Sequence, residues 1–170
     1  MPKYIKIILS VLLVISSLLC LYSCADKNDT TYTIDGLTFT IPTNMRRSEE
    51  EKYDIYFSTY TTAFIAMKID EEFLTKEKLP EDTDAKAYVD ILFDLNDIDK
   101  EQCEVSYSES QKAYKFHFSN SPDNVDYTFN YCVVLDGVDC VWYVVMMCNY
   151  EDASGYLPTF EIWGNSIRAK

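Results

Sequence analysis

The most restrictive feature of this sequence is an uninterrupted apolar run in its C-terminal third. Residues 141–147 read Val-Trp-Tyr-Val-Val-Met-Met. Successive side chains of a strand point to opposite sides, so a strand built from this run is apolar on both faces. Such a strand belongs in the middle of a sheet that is covered above and below. The same run would also suit the wall of an apolar ligand pocket. We therefore expect a layered core with this strand at its centre.

Further strand patterns surround this central run. Alternating or β-rich segments predict strands at residues 32–34, 37–41, 53–58, 63–69, 103–107, 113–118, 127–135 and 138–148. The dipeptides Asp35-Gly36 and Asp136-Gly137 predict tight hairpin turns. Residues 60–62 predict a further turn between two of the strands.

The stretch from residue 83 to residue 96 carries the clearest helix pattern. Thr83 or Asp84 is suited to accept the free N–H groups of a first helical turn, and the helix is expected to end near Asn96. Its apolar residues recur at helical intervals and are Tyr88, Ile91, Leu92 and Leu95.

Two other segments are less regular. Residues 156–167 predict a short amphipathic helix, because Phe160, Trp163 and Ile167 lie on one side of it. The charged stretch 73–82 contains a proline and is expected to be a surface loop or a short helical turn. The order of elements is then β-β-β-β-α-β-β-β-β-α, which predicts an α+β fold with a mostly antiparallel sheet covered by helices.

At this point the chain resembles a known family. The opening Asp35-Gly36-Leu37-Thr38-Phe39-Thr40-Ile41-Pro42, the central helix, the four-strand meander and the closing Phe160, Ser166 and Ile167 are similar to the Mog1/PsbP-like domains. The resemblance covers residues 32–170 and implies an α/β/α sandwich. Members of that family assist photosystem assembly, bind a small GTPase or chaperone secreted effectors. The resemblance therefore implies a binding or accessory role and gives no particular site.

The N-terminus has the features of an export signal. Lys3 and Lys6 precede an almost wholly apolar segment at residues 7–21. This segment is shorter than the ~20 residues that a transmembrane helix needs. Leu21-Tyr22-Ser23-Cys24 resembles the lipobox of bacterial lipoproteins. That resemblance implies cleavage before Cys24 and attachment of lipid to its thiol.

The lipobox divides the chain into three parts. Residues 1–23 are expected to be a signal peptide, residues 24–31 a polar tether and residues 32–170 a single domain. Two acyl chains give stable attachment, so we expect a protein anchored on the extracytoplasmic side of the cell membrane. A plain secreted protein and an uncleaved anchor are the alternatives.

The charge of the chain limits its partners. Asp and Glu number 28 and Lys and Arg number 15, which gives a net charge of −13. Removal of residues 1–23 takes two lysines and no acid, which leaves 13 basic and 28 acidic residues and a charge of −15 once the N-terminal amine is acylated. Such a domain repels phosphate backbones and anionic lipid surfaces. Nucleic-acid binding is therefore disfavoured, and the domain is expected to stand off the membrane on its tether.

Motifs for catalysis, metal binding and cofactor binding do not emerge from the sequence. His117 is the only histidine, and no nucleophile-elbow motif accompanies it. A calcium loop starting at Asp97 would need Gly and Glu at its sixth and twelfth positions, where Gln102 and Ser108 stand. No Cys-x-x-Cys pair occurs, and the four glycines are isolated. We predict a non-enzymatic protein with no metal and no cofactor.

Four cysteines fall within the predicted domain: Cys103, Cys132, Cys140 and Cys148. A three-residue hairpin loop at 135–137 would place Cys132 opposite Cys140 and permit a disulfide, which export allows. A two-residue loop would instead place Cys132 opposite Val141. Buried thiols are the other alternative.

Tyrosine supplies the candidate binding face. The chain has 14 tyrosines, of which 12 remain after removal of residues 1–23. Tyrosine gives amphipathic contact surface and is enriched at interfaces. Tyr53, Tyr56 and Tyr60 cluster near the turn of an outer hairpin and are the predicted face. The expected partner is another envelope protein or a cell-wall component. The alternative function is a small-molecule or lipid carrier with a pocket between sheet and helix.

Overall fold

The computed structural model of the protein describes residues 28–101, 103–120 and 128–170. The predicted signal peptide, the lipobox and Cys24 lie outside these residues. Within them the chain forms ten strands and three α-helices, in the order β1 (Asp29–Ile34), β2 (Leu37–Pro42), β3 (Arg46–Arg47), β4 (Ile55–Ser58), β5 (Thr62–Ile69), α1 (Glu71–Glu77), α2 (Ala85–Leu95), β6 (Ser106–Ser108), β7 (Ala113–Asn120), β8 (Thr128–Asp136), β9 (Val141–Asn149), α3 (Ala153–Ser166) and β10 (Arg168–Ala169). A 3₁₀ turn at Tyr150–Asp152 leads into α3.

Strand β9 lies at the centre of the main sheet, as its apolar sequence predicted. The sheet has seven strands in the order β3-β4-β5-β9-β8-β7-β6, and every neighbouring pair is antiparallel. Residues 141 to 146 of β9 are all buried. This strand therefore has covered neighbours on both sides and a packed layer on both faces.

The two faces of β9 belong to two separate cores. Trp142, Val144 and Met146 pack into the core beneath α3 and a small second sheet, which has the strand order β1-β2-β10. The alternate residues Tyr143 and Val145 pack into the core beneath α1 and α2. The prediction of an α+β sandwich with a mostly antiparallel sheet is confirmed. The first hairpin, however, joins β10 in the small sheet instead of extending the main one.

Helix α2 begins and ends where the sequence predicted. The side chain of Asp84 caps its N-terminus, with Oδ1 accepting a 2.8 Å hydrogen bond from the Ala87 N–H. The carboxylate of Asp136, on β8, accepts a second 2.8 Å bond from the Ala85 N–H. Asn96 ends the helix by donating its N–H to the Leu92 carbonyl. Together these bonds fix the helix to one end of the sheet.

Some element boundaries differ from the prediction. Of the two alternatives for residues 73–82, a surface loop or a short helical turn, the structure has the helical one: α1 starts earlier, at Glu71, because the Asp70 carboxylate caps it through the Phe73 N–H. Strand β1 begins at Asp29, inside the predicted tether, because Asp29 already pairs with Pro42. The strand predicted at residues 103–107 is reduced to Ser106–Ser108.

The hairpin between β8 and β9 corrects the predicted cysteine pairing. Asp136 pairs with Val141, so residues 137–140 form the loop and Cys132 lies opposite Val145. Cys132 is buried under α2, whereas Cys140 packs against the core on the other face of the sheet. Both predicted registers are therefore wrong. The four cysteines in the described part of the chain are free thiols.

Close packing in this loop accounts for the glycine at position 137. A Cβ atom on Gly137 would lie 3.0 Å from the Cys140 sulfur and 3.0 Å from Cδ1 of Trp142. Gly137 also donates its N–H to the Cys140 carbonyl at 2.8 Å. The large Trp142 side chain thus occupies the space beside the glycine, and the chain reverses over four residues around it.

A buried polar cluster closes the C-terminal end of α3. The Gln111 side chain donates from Nε2 to the carbonyls of Gly164 and Ile167, both at 2.9 Å. Its Oε1 accepts from the Lys115 ammonium, which also donates to Asn165 Oδ1 at 2.6 Å. The last carbonyls of a helix lack partners within it, and a cation there is favourable. We call Gln111, Lys115 and Asn165 the α3 cap cluster.

Two further contacts join the same end of α3 to the small sheet. The Arg168 guanidinium donates to the Asn165 and Ile167 carbonyls. The Ser166 hydroxyl accepts from the Thr40 N–H at 2.9 Å. Since β10 and β2 belong to the small sheet and Lys115 is in β7 of the main sheet, the α3 terminus links both sheets.

Substitution of Gln111 tests the contribution of the α3 cap cluster. Gln111→Ala removes one hydrogen-bond partner from each of three groups in a buried site: the two carbonyls and the Lys115 ammonium. We expect the free energy of unfolding to fall by about 1–3 kcal/mol. Urea unfolding of Gln111→Ala beside the exposed neighbour Glu109→Ala measures the difference. Equal stability of the two variants would contradict this role.

The buried phenols and thiols predict a loss of stability at alkaline pH. Burial raises the pKa of Cys132 to about 12. Burial, with a smaller contribution from a nearby carboxylate, raises the pKa of Tyr88 and of Tyr131 to about 12. These groups ionise first in the unfolded chain, near their ordinary values of 9.0 for Cys and 10.0 for Tyr. The folded state then binds more protons, so stability falls as pH rises from about 9 towards 12.

Each such group lowers the free energy of unfolding by about 1.4 kcal/mol per pH unit within that window. Urea midpoints measured in steps from about pH 8 to pH 11 give the slope, and Tyr131→Phe, which removes one titrating group, is expected to make it shallower. A midpoint that stays constant across this range would show that the groups ionise without unfolding.

Candidate functional site

The β4–β5 hairpin has a side that the helices leave partly open. Ile55 and Phe57 of β4 point into the core beneath α3 and the small sheet. Tyr56, between them, points to the other face of the sheet and is half-buried. On that face α2 packs against β7, β8 and β9, and α1 packs against β5. Only the two-residue strand β3 lies outside β4, so this side of the hairpin is near the sheet edge.

Two of the three predicted tyrosines form one surface on this side. The rings of Tyr53 and Tyr56 stack with centroids 5.8 Å apart and planes 18° apart. The segment between them is held to β5, because Asp54 Oδ2 accepts a 2.7 Å hydrogen bond from the Lys68 N–H. The stacked rings form one continuous aromatic area.

Tyr60 lies at the other end of β4, at the tip of the hairpin, and is fully exposed. The Thr59 hydroxyl accepts from the Thr61 and Thr62 N–H groups at 3.2 and 3.0 Å. The same hydroxyl lies 2.8 Å from the Thr62 hydroxyl. The Thr61 hydroxyl is 2.8 Å from the Tyr156 hydroxyl of α3. A tightly bonded turn therefore presents an aromatic ring to solvent.

The structure divides the predicted face into two parts. Tyr53 and Tyr56 are in contact, whereas Tyr60 is separated from Tyr56 by the remainder of β4, roughly 13 Å along an extended chain. We call these three residues the tyrosine face. The turn at residues 60–62 was predicted, but the hydrogen bonds of its threonine hydroxyls were not. Their spacing, Thr59-x-x-Thr62, is a local sign of a hydroxyl-bonded turn. The role of Tyr156 has no local sign, because 95 residues separate it from Thr61.

A depression of about 520 Å³ adjoins Tyr53. Its walls mix both signs of charge with the rings of Tyr53 and Phe73, and Lys68 and Asp70 form a 3.9 Å ion pair there. The depression therefore combines aromatic area with charged groups of both signs. The arrangement is suited to binding and contains no paired nucleophile and base.

The other candidate residues considered from the sequence do not form a catalytic or metal site among the described residues. His117 is exposed on β7, with its ring centroid 5.3 Å from that of Phe129. Residues 28–101, 103–120 and 128–170 contain no group of three or more His, Cys, Asp or Glu side chains arranged to hold a metal ion. None of the helices in these ranges has the length and apolar character of a membrane span.

The order of strands and the placement of the helices define a Mog1/PsbP-like fold. The chain is similar to the solution structure of cyanobacterial PsbP (CyanoP) from Synechocystis sp. PCC 6803, with a TM-score of 0.56 and 13% identity, over 87% of this chain and 96% of that one. It is also similar to the crystal structure of the Saccharomyces cerevisiae Ran-binding protein Mog1p, with a TM-score of 0.53 and 7% identity, over 85% and 96% of the two chains. No family model and no curated protein sequence matches the chain.

Substitutions at the hairpin tip separate the turn from the ring that it presents. Thr59→Val keeps the side-chain shape and removes the hydroxyl that bonds to Thr61 and Thr62, so we expect a loss of about 1–2 kcal/mol of unfolding free energy. Tyr60→Ala removes an exposed ring and is expected to change stability by less than about 0.5 kcal/mol. Urea unfolding of both variants checks the pair. A large loss for Tyr60→Ala would mean that the ring packs against the domain.

Proposed function

We propose that this protein is a lipid-anchored, non-enzymatic accessory protein on the extracytoplasmic side of the cell membrane, which binds another envelope protein or a cell-wall component through the tyrosine face. The observation that carries the proposal is the preorganised hairpin tip. Ordering a loop costs free energy on binding, and a turn that is already bonded avoids that cost. An exposed tyrosine on an ordered turn is the kind of residue that dominates many interfaces.

The fold and the charge support this assignment. A similar structure belongs to a Ran-binding protein, so this architecture is known to serve protein recognition. The chain carries a net charge of −13 before any cleavage, which disfavours contact with nucleic acid and with anionic lipid. A domain on a tether can bind a partner without contacting anionic lipid, which is consistent with that charge.

Packing between α2 and the sheet weighs against the carrier alternative. Leu92 and Phe93 of α2 meet Phe116, Cys132 and Val134 of the sheet, and all five side chains are at most 4% exposed. These side chains fill the space that a lipid would occupy. We therefore favour recognition at the surface over transport in an apolar pocket.

The anchor is tested by intact mass. The full chain, expressed in a bacterium that processes lipoproteins, is expected in the membrane fraction as a protein that begins at Cys24 and carries fatty acyl chains. Cys24→Ala is expected to lose both the cleavage and the acyl mass. A membrane-bound species with an unmodified Cys24 would reject the anchor and leave the proposed binding face untouched.

The binding face is tested by site-specific photo-crosslinking in cells of the source organism. A photoreactive phenylalanine at position 60 is expected to give a defined adduct with one partner. The same residue at position 107 is the matched control, since Tyr107 is also exposed and lies on β6 at the opposite sheet edge. Tyr53→Ala combined with Tyr56→Ala is expected to weaken the adduct at position 60. Adducts from position 107 alone would contradict the tyrosine face.

A further inference from the structure

A separate cleft of about 190 Å³ lies where α3 passes over β6, β7 and β8. Ionisable and hydroxyl side chains from four elements and a loop line it: Glu104, Ser106, Lys115, His117, Tyr131 and Glu161. It is at the sheet edge opposite the β4–β5 hairpin. Nothing in the tyrosine face or the proposed partner uses these residues.

Lys115 at this cleft is a buried cation with spare donor capacity. Its side chain belongs to a residue that is only 9% exposed. Two of its three N–H donors go to the amide oxygens of Gln111 and Asn165, which are uncharged. The salt bridges among the described residues involve only Lys68 and Lys100. Among the described residues, the third donor of Lys115 has no hydrogen-bond acceptor and its charge has no salt-bridge partner.

Tyr131 adds a second buried donor. It is 7% exposed, and within the described ranges its hydroxyl has no hydrogen-bond partner, although a buried hydroxyl ordinarily has one. Gly164 of α3 positions the ring, since a Cβ atom there would lie 2.9 Å from Tyr131 Cε1. Burial and then the Glu161 charge raise the pKa of Tyr131 to about 12. The phenol is therefore protonated at neutral pH and able to donate.

Acidic groups stand at the mouth of the same cleft. Glu161, on α3, and Glu104 are both exposed lining residues. The cleft thus has donors at its buried end and carboxylates at its solvent end. A ligand that satisfies both ends needs an acceptor group at one end and a cationic donor at the other.

We propose that this cleft binds a small α-amino acid as its zwitterion. The ligand carboxylate accepts from Lys115 Nζ and the Tyr131 hydroxyl, and the ligand ammonium donates to the carboxylates of Glu161 and Glu104. The cleft of about 190 Å³ has room for a glycine or alanine together with water, which takes about 30 Å³ per molecule in the liquid. A zwitterion has no net charge and so is not repelled by a protein of charge −13, whereas a simple anion is.

Titration followed by amide NMR shifts tests the proposal with three probes: glycine, acetate and methylammonium. Glycine at concentrations up to about 50 mM, well above a millimolar Kd, is expected to shift the amides around Lys115, Tyr131 and Glu161 in a saturable way. Acetate and methylammonium each carry one half of the ligand and are expected to bind at least tenfold more weakly. Acetate binding as tightly as glycine would show a plain anion site and overturn the proposal.

Two conservative variants keep the test decisive. Tyr131→Phe retains the ring beside Gly164 and removes the hydroxyl, and Glu161→Gln alters only an exposed side chain. Each is expected to weaken glycine binding at least fivefold, and Glu161→Gln is expected to leave or strengthen acetate binding. Glu109→Gln, outside the cleft, is the control. No saturable shift with glycine, or equal affinity in all variants, would refute the site and would not bear on the tyrosine face.

Discussion

Burial of both faces of β9 is the constraint on which the rest of the structure depends. A strand with Trp142, Val144 and Met146 on one face and Tyr143 and Val145 on the other needs two covering layers. Helices α1 and α2 supply one layer. Helix α3 and the small sheet supply the other. Both edges of β9 are also paired, with β5 on one side and β8 on the other, as a fully buried strand requires.

The helices of the two layers are fixed by polar bonds at opposite ends. Helix α2 is fixed at its N-terminus by two carboxylates, Asp84 and Asp136, which are favourable at that end of a helix dipole. Helix α3 is fixed at its C-terminus, where carbonyls need donors, and the α3 cap cluster supplies them. The consequence is a buried ammonium beside neutral amides. Charge is tolerated there because the helix terminus offsets part of its desolvation cost.

Local patterns predicted the parts of the fold that local physics decides. Asp84 and the spacing of Tyr88 and Leu92 were enough to place α2, and the two-sided apolar run was enough to place β9. The Cys132 register was beyond reach, because the Asp136-Gly137 pair predicts a turn but does not fix how many residues the loop contains. The α3 cap cluster could not be predicted from the sequence either. It joins Gln111 to Gly164, 53 residues away, and no periodicity reports such a pair.

The helices cover the main sheet only in part, and this explains where the tyrosine face and the cleft at Lys115 lie. Seven strands at about 4.8 Å spacing span roughly 29 Å, whereas an 11-residue helix is about 16 Å long and about 10 Å wide. Helix α2 therefore covers β7 to β9 and leaves the β4 side of the sheet to Tyr53 and Tyr56. On the opposite face, α3 reaches β8 and β9, and beyond it the edge strands β6 and β7 frame the Lys115 cleft. Both surfaces arise at sheet edges because a central strand buried on both faces concentrates the covering elements around itself.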